Sequence, residues 1–196
     1  QYAEQDALVS VHQNVRLSYK ELQQQVNAFA CSLLELGLEK GDRIAIWSPN
    51  CVEWTITQFA AFKAGIILVN LNPAYKSSEL EYVLNKVSCK ALVIAAEFKS
   101  SNYQEILTKI APEIPHTVDK KLCAARLPHL KHVIKIDSEQ HSGIHRFADL
   151  LIAPTATQLA ELQAIAADLQ FDETINIQFT SGTTGNPKGT MLTHNN

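Results

Sequence analysis

The chain has 196 residues, of which 46% are hydrophobic and 19% charged, with a formal net charge of −3. That length buries on the order of 70% of the unfolded surface if it folds alone, and the composition is that of a soluble globular protein. The charge balance, with no clustered basic face, argues against nucleic acid, and no apolar run approaches the ~20 residues that span a bilayer.

In chain order, Leu8 to Leu17 reads as a short hairpin with Asn14 at its turn. Ser18-x-x-Glu21 is a capping box opening a helix with Leu22, Val26, Phe29, Ala30, Leu33 and Leu34 at helical spacing, stopped by Gly37. Arg43 to Trp47 is a strand. Asn50 is placed to cap a second helix, with Glu53 at its third position and Val52, Ile56, Phe59 and Ala60 as its apolar stripe, ended by Gly65. Ile66 to Val69 is β-branched and nearly all apolar, hence a buried strand.

The pattern repeats. Asn72-Pro73 makes a turn, Ser78-x-x-Glu81 opens a helix carrying Leu80, Val83, Leu84 and Val87, and Ala91 to Ala95 is another buried strand. Strand–helix alternation with buried strands predicts a doubly wound, largely parallel α/β sheet. Residues Pro112 to Lys131 lack periodicity and read as surface loop; His132 to Ile136 reads as a weaker strand and Thr157 to Leu169 as an Ala/Leu-rich helix. No linker divides the chain. Trp47, Trp54 and Tyr75 read as packing residues rather than pocket walls.

Cys31, Cys51, Cys89 and Cys123 are widely spaced without C-x-x-C and read as reduced core thiols of an intracellular protein. His129-x-x-His132 and His141-x-x-x-His145 lie in irregular backbone beside Pro128 and Gly143, so metal ligation is not expected there. No Ser-His-Asp order, paired-carboxylate helix or H-E-x-x-H supports a hydrolase. No secretory leader is visible, and a start at Gln1 leaves an upstream segment open.

The most informative stretch is Thr180 to Gly189, T-S-G-T-T-G-N-P-K-G. Thr174 to Phe179 before it alternates, with Ile175, Ile177 and Phe179 on one face and Asn176 and Gln178 on the other, a half-buried strand. Met191-Leu192 after it begins a second strand. Gly182, Gly185 and Gly189 let the backbone approach a ligand closely. Successive N–H groups then converge on an anion. Thr180, Ser181, Thr183 and Thr184 add hydroxyl donors, Lys188 adds a point charge, and Pro187 limits that lysine's range. The combination suits a polyphosphate. It is not a Walker A loop, since the spacing is G-x-x-G-x-x-K and Gly189 follows the lysine. His194 is the only histidine near the loop and reads as structural.

This string resembles the phosphate-binding signature of the acyl-adenylate-forming superfamily, which comprises acyl-CoA synthetases, luciferases and peptide-synthetase adenylation domains. Asn186 occupies the signature's variable position. Gly41 to Asn50, Lys63 to Tyr75 and Glu79 to Leu84 are similar to the same family, and the likeness is weakest from Pro112 to Ala167. Within the superfamily the pattern is most similar to mitochondrial medium-chain fatty acid–CoA ligases.

The resemblance implies ATP, Mg²⁺ and CoA as cofactors or co-substrates, a fatty acid as the carboxylate, and a mitochondrial location. It also implies a triphosphate grip at Thr180, Ser181, Gly182, Thr183, Thr184, Gly185, Asn186, Pro187 and Lys188. Residues 1–196 then correspond to the N-terminal portion of the large domain, with the family's adenine, ribose, metal and catalytic-lysine groups beyond Asn196. On that reading no catalytic residue lies in this stretch, the piece does not turn over alone, and the sheet is left with an exposed edge that favours poor solubility. An aryl- or amino-acid-activating sibling, or a non-catalytic nucleotide-binding fragment, fits the same loop.

Overall fold

The computed structural model describes residues 2–180 and 187–196. Asp6–Ser10 (β1) and Val15–Ser18 (β2) pair antiparallel. Asn14 takes a φ of 52° in their connection, a left-handed conformation asparagine tolerates better than most residues. The capping box is made. Ser18 Oγ accepts from the Glu21 N–H at 3.3 Å, and the Glu21 carboxylate accepts from the Ser18 N–H at 2.8 Å. It opens α1 (Tyr19–Glu35). Gly37, at φ 84°, ends that helix, and the next N–H, from Leu38, reaches back to the Leu33 carbonyl at 3.1 Å, as a Schellman stop requires.

The chain then winds through β3 (Arg43–Trp47), α2 (Val52–Lys63), β4 (Ile67–Asn70), α3 (Ser77–Lys86) and β5 (Ala91–Ala95). A small antiparallel pair, β6 (Glu97–Phe98) and β7 (Ser101–Asn102), leads into α4 (Tyr103–Ile110). Then come β8 (His132–Ile136), β9 (His145–Arg146), α5 (Ala156–Ala167), β10 (Asn176–Thr180) and β11 (Lys188–Leu192). The main sheet has the order β11-β10-β4-β3-β5-β8-β9. Every neighbouring pair in it is parallel except β10–β11.

Period-two alternation along the central strands feeds two cores. Ile44, Ile46, Leu68, Val93 and Ile134 pack against α1, α2 and α5. Ala45, Trp47, Val69, Leu92, Ile94 and Val133 pack against α3 and α4. A sheet apolar on both faces must be covered on both, and that is the doubly wound arrangement. Trp47 is fully buried, stacks on Tyr103 with ring centroids 3.8 Å apart, and donates from Nε1 to the Asn72 carbonyl at 3.1 Å. Trp54 and Tyr75 pack at the margins of the two cores.

Several expectations need correcting. Asn50 does not cap α2; the N-cap is Cys51, whose side chain makes no capping bond. The Val52 N–H is instead taken by Gln13 Oε1 at 2.8 Å, and Gln13 Nε2 donates to Glu53 Oε2 at 2.9 Å. The cap comes from the β1–β2 connection, invisible to a local reading. Phe59 on the expected stripe is 46% exposed. In α3 the Lys76 N–H donates to Glu79 Oε2 at 3.1 Å, in place of a Ser78–Glu81 box. Glu81 is drawn away by Arg126, whose Nε meets Oε1 at 2.9 Å.

Residues 112–131 are irregular, with two short 3-10 turns, but they are not surface loop. Ile114, Leu122, Ala124, Leu127 and Leu130 are all buried in the α3/α4 core. Helix α4 escaped the sequence reading although Tyr103, Ile106, Leu107 and Ile110 repeat at helical spacing and are buried. All four cysteines are free; Cys31 and Cys89 are buried, whereas Cys123 is exposed, not a core thiol.

Removing the Trp47 ring leaves a cavity in the α3/α4 core, so Trp47→Ala is expected to destabilise the fold by about 3–5 kcal/mol. Urea unfolding followed by far-UV circular dichroism measures it, and a loss below about 1 kcal/mol would contradict the packing described.

Candidate functional site: the β10–β11 hairpin at the carboxyl edge

β10 pairs parallel with β4 through Asn176↔Leu68, Ile177↔Val69 and Gln178↔Asn70. It therefore runs with the central strands, and Thr180 emerges at the edge where Trp47, Asn70, Ala95 and Ile136 also end. Open α/β sheets bind their ligands at this edge. β11 returns antiparallel along the far side of β10, from Thr180↔Lys188 to Asn176↔Leu192.

Of the expected phosphate-binding residues, Thr180, Pro187 and Lys188 are described; Ser181, Gly182, Thr183, Thr184, Gly185 and Asn186 lie outside the described residues. Thr180 and Lys188 are both exposed and face each other across the strand pair, and the Thr180 hydroxyl donates to the Lys188 carbonyl at 3.4 Å. Pro187 is half-buried. Among the described residues the Lys188 side chain makes no hydrogen bond or ion pair. One hydroxyl and one cation thus stand at the two ends of the connection, at the end of the sheet where an anion is approached from solvent. That much of the donor set fits a polyphosphate. No group of three or more His, Cys, Asp or Glu suited to a metal occurs among the described residues.

Gly189 has a packing role in this hairpin. A Cβ there would meet Ile177 Cγ2 at 3.2 Å and the Phe179 ring at 3.4 Å. Ile177 is buried and Phe179 half-buried against the α3/α4 core. Glycine lets β11 lie close over these side chains. Met191, by contrast, is 67% exposed, so the second apolar stretch is not buried. β11 is the edge strand of the sheet among the described residues.

Two asparagines at the base of the hairpin depart from the sequence reading. Asn176 is buried, not solvent-facing beside Gln178 as the alternation suggests. Its Oδ1 and that of Asn70, on the adjacent strand, are buried and accept no hydrogen bond among the described residues. Unsatisfied buried acceptors are costly, and a polar residue in an otherwise apolar strand was the available signal. His194 lays its ring edge-on to Phe62 of α2, centroids 5.9 Å apart, as a structural histidine would.

Elsewhere a surface depression of about 660 Å³ lies between α4 and the end of β8. Beside it Lys135, 7% exposed, donates to Gln104 Oε1 at 2.8 Å and Asp137 Oδ2 at 2.7 Å, and its Nζ lies 2.8 Å from His141 Nε2. Burial pushes the Asp137 carboxyl up, but the bonds from Lys135 and His141 outweigh it and hold the group below its ordinary range. This cluster pins the segment after β8 to α4 and is remote in the sheet order from β10.

Comparison with known proteins decides the family. The AMP-binding enzyme family matches residues 1–196. The chain belongs to the AMP-binding enzyme family. It is 46% identical over 193 residues to the medium-chain acyl-CoA ligase ACSF2, mitochondrial, of Macaca fascicularis, covering 98% of this chain and 31% of that protein. It is 38% identical over 196 residues to the putative acyl-CoA synthetase YngI of Bacillus subtilis, covering 100% of this chain and 36% of that protein. Its fold matches the inhibitor-bound N-terminal domain of FACL13 from Mycobacterium tuberculosis with a TM-score of 0.72 at 25% identity, over 97% of this chain and 41% of that one. The chain thus spans about a third of the length of the curated relatives it matches.

Gly189→Val would push β11 off Ile177 and Phe179. We expect a loss of about 1–3 kcal/mol from overpacking, read by thermal unfolding, with unchanged stability contradicting the close approach. Lys188→Ala, a surface change, should stay within about 0.5 kcal/mol of the parent.

Proposed function

We propose that residues 1–196 are the N-terminal portion of the large domain of an ATP-dependent fatty acid–CoA ligase, medium-chain in preference and mitochondrial in location. The observation that carries this reading is the Thr180–Lys188 pair, exposed at the carboxyl edge of a parallel sheet, in a chain of the AMP-binding family. The names of its relatives support the acyl-CoA part.

In the proposed reaction a fatty carboxylate oxygen attacks the α-phosphorus of ATP. An acyl–AMP bond forms and the bond to pyrophosphate breaks. The CoA thiol then displaces AMP from the acyl carbon, giving thioester and AMP with release of the thiol proton. Residues of this chain serve the first step. Negative charge accumulates on the departing pyrophosphate, and donors already aimed at it stabilise the transition state more than the ground state. Lys188 supplies a full positive charge there and Thr180 a hydroxyl. Ser181, Thr183 and Thr184 would add further hydroxyls, and Gly182 and Gly185 backbone N–H groups. Magnesium, when bound, would neutralise phosphate charge.

In the full-length protein, Lys188→Ala is expected to slow fatty-acid-dependent exchange of labelled pyrophosphate into ATP about 100-fold, with the unfolding midpoint unchanged. Wild-type exchange rates in the variant would remove Lys188 from the site. Nucleotide binding without exchange by the wild-type protein, for any fatty acid offered, would contradict the ligase reading.

A further inference from the structure

A recess separate from the hairpin lies where α2 begins and β8 ends, with three strands between β8 and β10 in the sheet order. Its volume is about 280 Å³, close to the lower bound of about 300 Å³ for ligand pockets. The walls are apolar: Val52 and Ile56 of α2, Ile136 of β8, and Phe147 in the 3-10 turn Phe147–Leu150. Val52, Ile56 and Phe147 are themselves buried. Two carboxylates, Glu53 and Asp137, line the same space, and no lysine, arginine or histidine does.

Carboxylates alone would make only a solvated surface. Two observations set these apart. Asp137 Oδ2 lies 2.7 Å from both Lys135 Nζ and His141 Nε2, whereas Asp137 Oδ1 is buried and accepts no hydrogen bond among the described residues. The Glu53 carboxylate accepts from the uncharged amide of Gln13 at 2.9 Å and meets no cation among the described residues. Lys135 balances Asp137, so the charge of Glu53 is left over. Unmet acceptors and uncompensated charge beside apolar walls both cost free energy. The recess therefore lacks one positive charge and an N–H donor.

We propose that this recess binds a short, free primary alkylammonium ion. Such an ion carries three N–H donors and one charge on an apolar stem. Its N–H groups serve Asp137 Oδ1 and Glu53, its charge balances Glu53, and its stem lies among Val52, Ile56 and Ile136. The Phe147 ring is a favourable neighbour for a cation. A quaternary ammonium has no N–H for Asp137 Oδ1. A divalent metal takes about six or more oxygen ligands, and no group of three or more His, Cys, Asp or Glu suited to one occurs among the described residues.

Titration of the full chain with n-butylammonium chloride, followed by NMR of its methyl groups, tests the site. Shifts centred on Val52, Ile56 and Ile136 are expected, with a Kd of about 1 mM or tighter. n-Butanol and tetramethylammonium should each bind at least about tenfold more weakly. Glu53→Gln, which keeps an oxygen for Gln13, should weaken n-butylammonium about tenfold and leave n-butanol unchanged. Should that variant fail to fold, the wild-type titrations decide. n-Butanol or tetramethylammonium binding as tightly, no shifts at those three residues, or Mg²⁺ displacing the amine would each overturn the proposal. Equally tight binding of Nα-acetyl-lysine methylamide, the same ammonium on a peptide, would overturn the assignment to a free amine.

Discussion

The constraint on which the molecule depends is that its central strands are apolar on both faces. β3, β4 and β5 cannot leave either side to water, so helices must cover both, and parallel neighbours must be joined by crossovers. Parallel pairing then brings every carboxyl end to one edge. β10 joins that set through β4, so the proposed phosphate-binding string follows a strand aimed at the edge where the preceding strands also end. Its location is thus a consequence of how Val69, Ile177 and their neighbours are buried.

The hairpin adds a second, local requirement. Thr180 and Lys188 are brought opposite each other only because β11 returns antiparallel and lies close over Ile177 and Phe179, which Gly189 allows. The signature's last glycine therefore has a packing role at the strand pair. The same sheet order separates this site from the Lys135–Asp137–His141 cluster.

Much of this was legible in sequence because the signals were local. Ser18 and Glu21 three residues apart, Gly37 after the last apolar position, and β-branched runs at 66–69 and 91–95 each name their own structure. What failed depended on distant partners. Gln13 caps α2 from 39 residues away, and Arg126 takes Glu81 out of its expected box. The aperiodic stretch 112–131 buries five apolar residues without regular backbone, since burial there is set by where α3 and α4 leave room, not by periodicity. At the site, residue chemistry and family likeness proposed the donors, of which Thr180 and Lys188 lie among the described residues; neither signalled the buried amides of Asn70 and Asn176 or the closeness of β11 over Phe179.

The central claim is that the connection between β10 and β11 holds the phosphates of ATP at the carboxyl edge of the sheet. An experimentally determined structure of this chain with ATP bound tests it most directly. The account predicts the β- and γ-phosphates seated between Thr180 and Lys188, with backbone N–H groups of the connecting residues turned toward them. Phosphates bound elsewhere, or those N–H groups locked in pairing with the sheet, would contradict it.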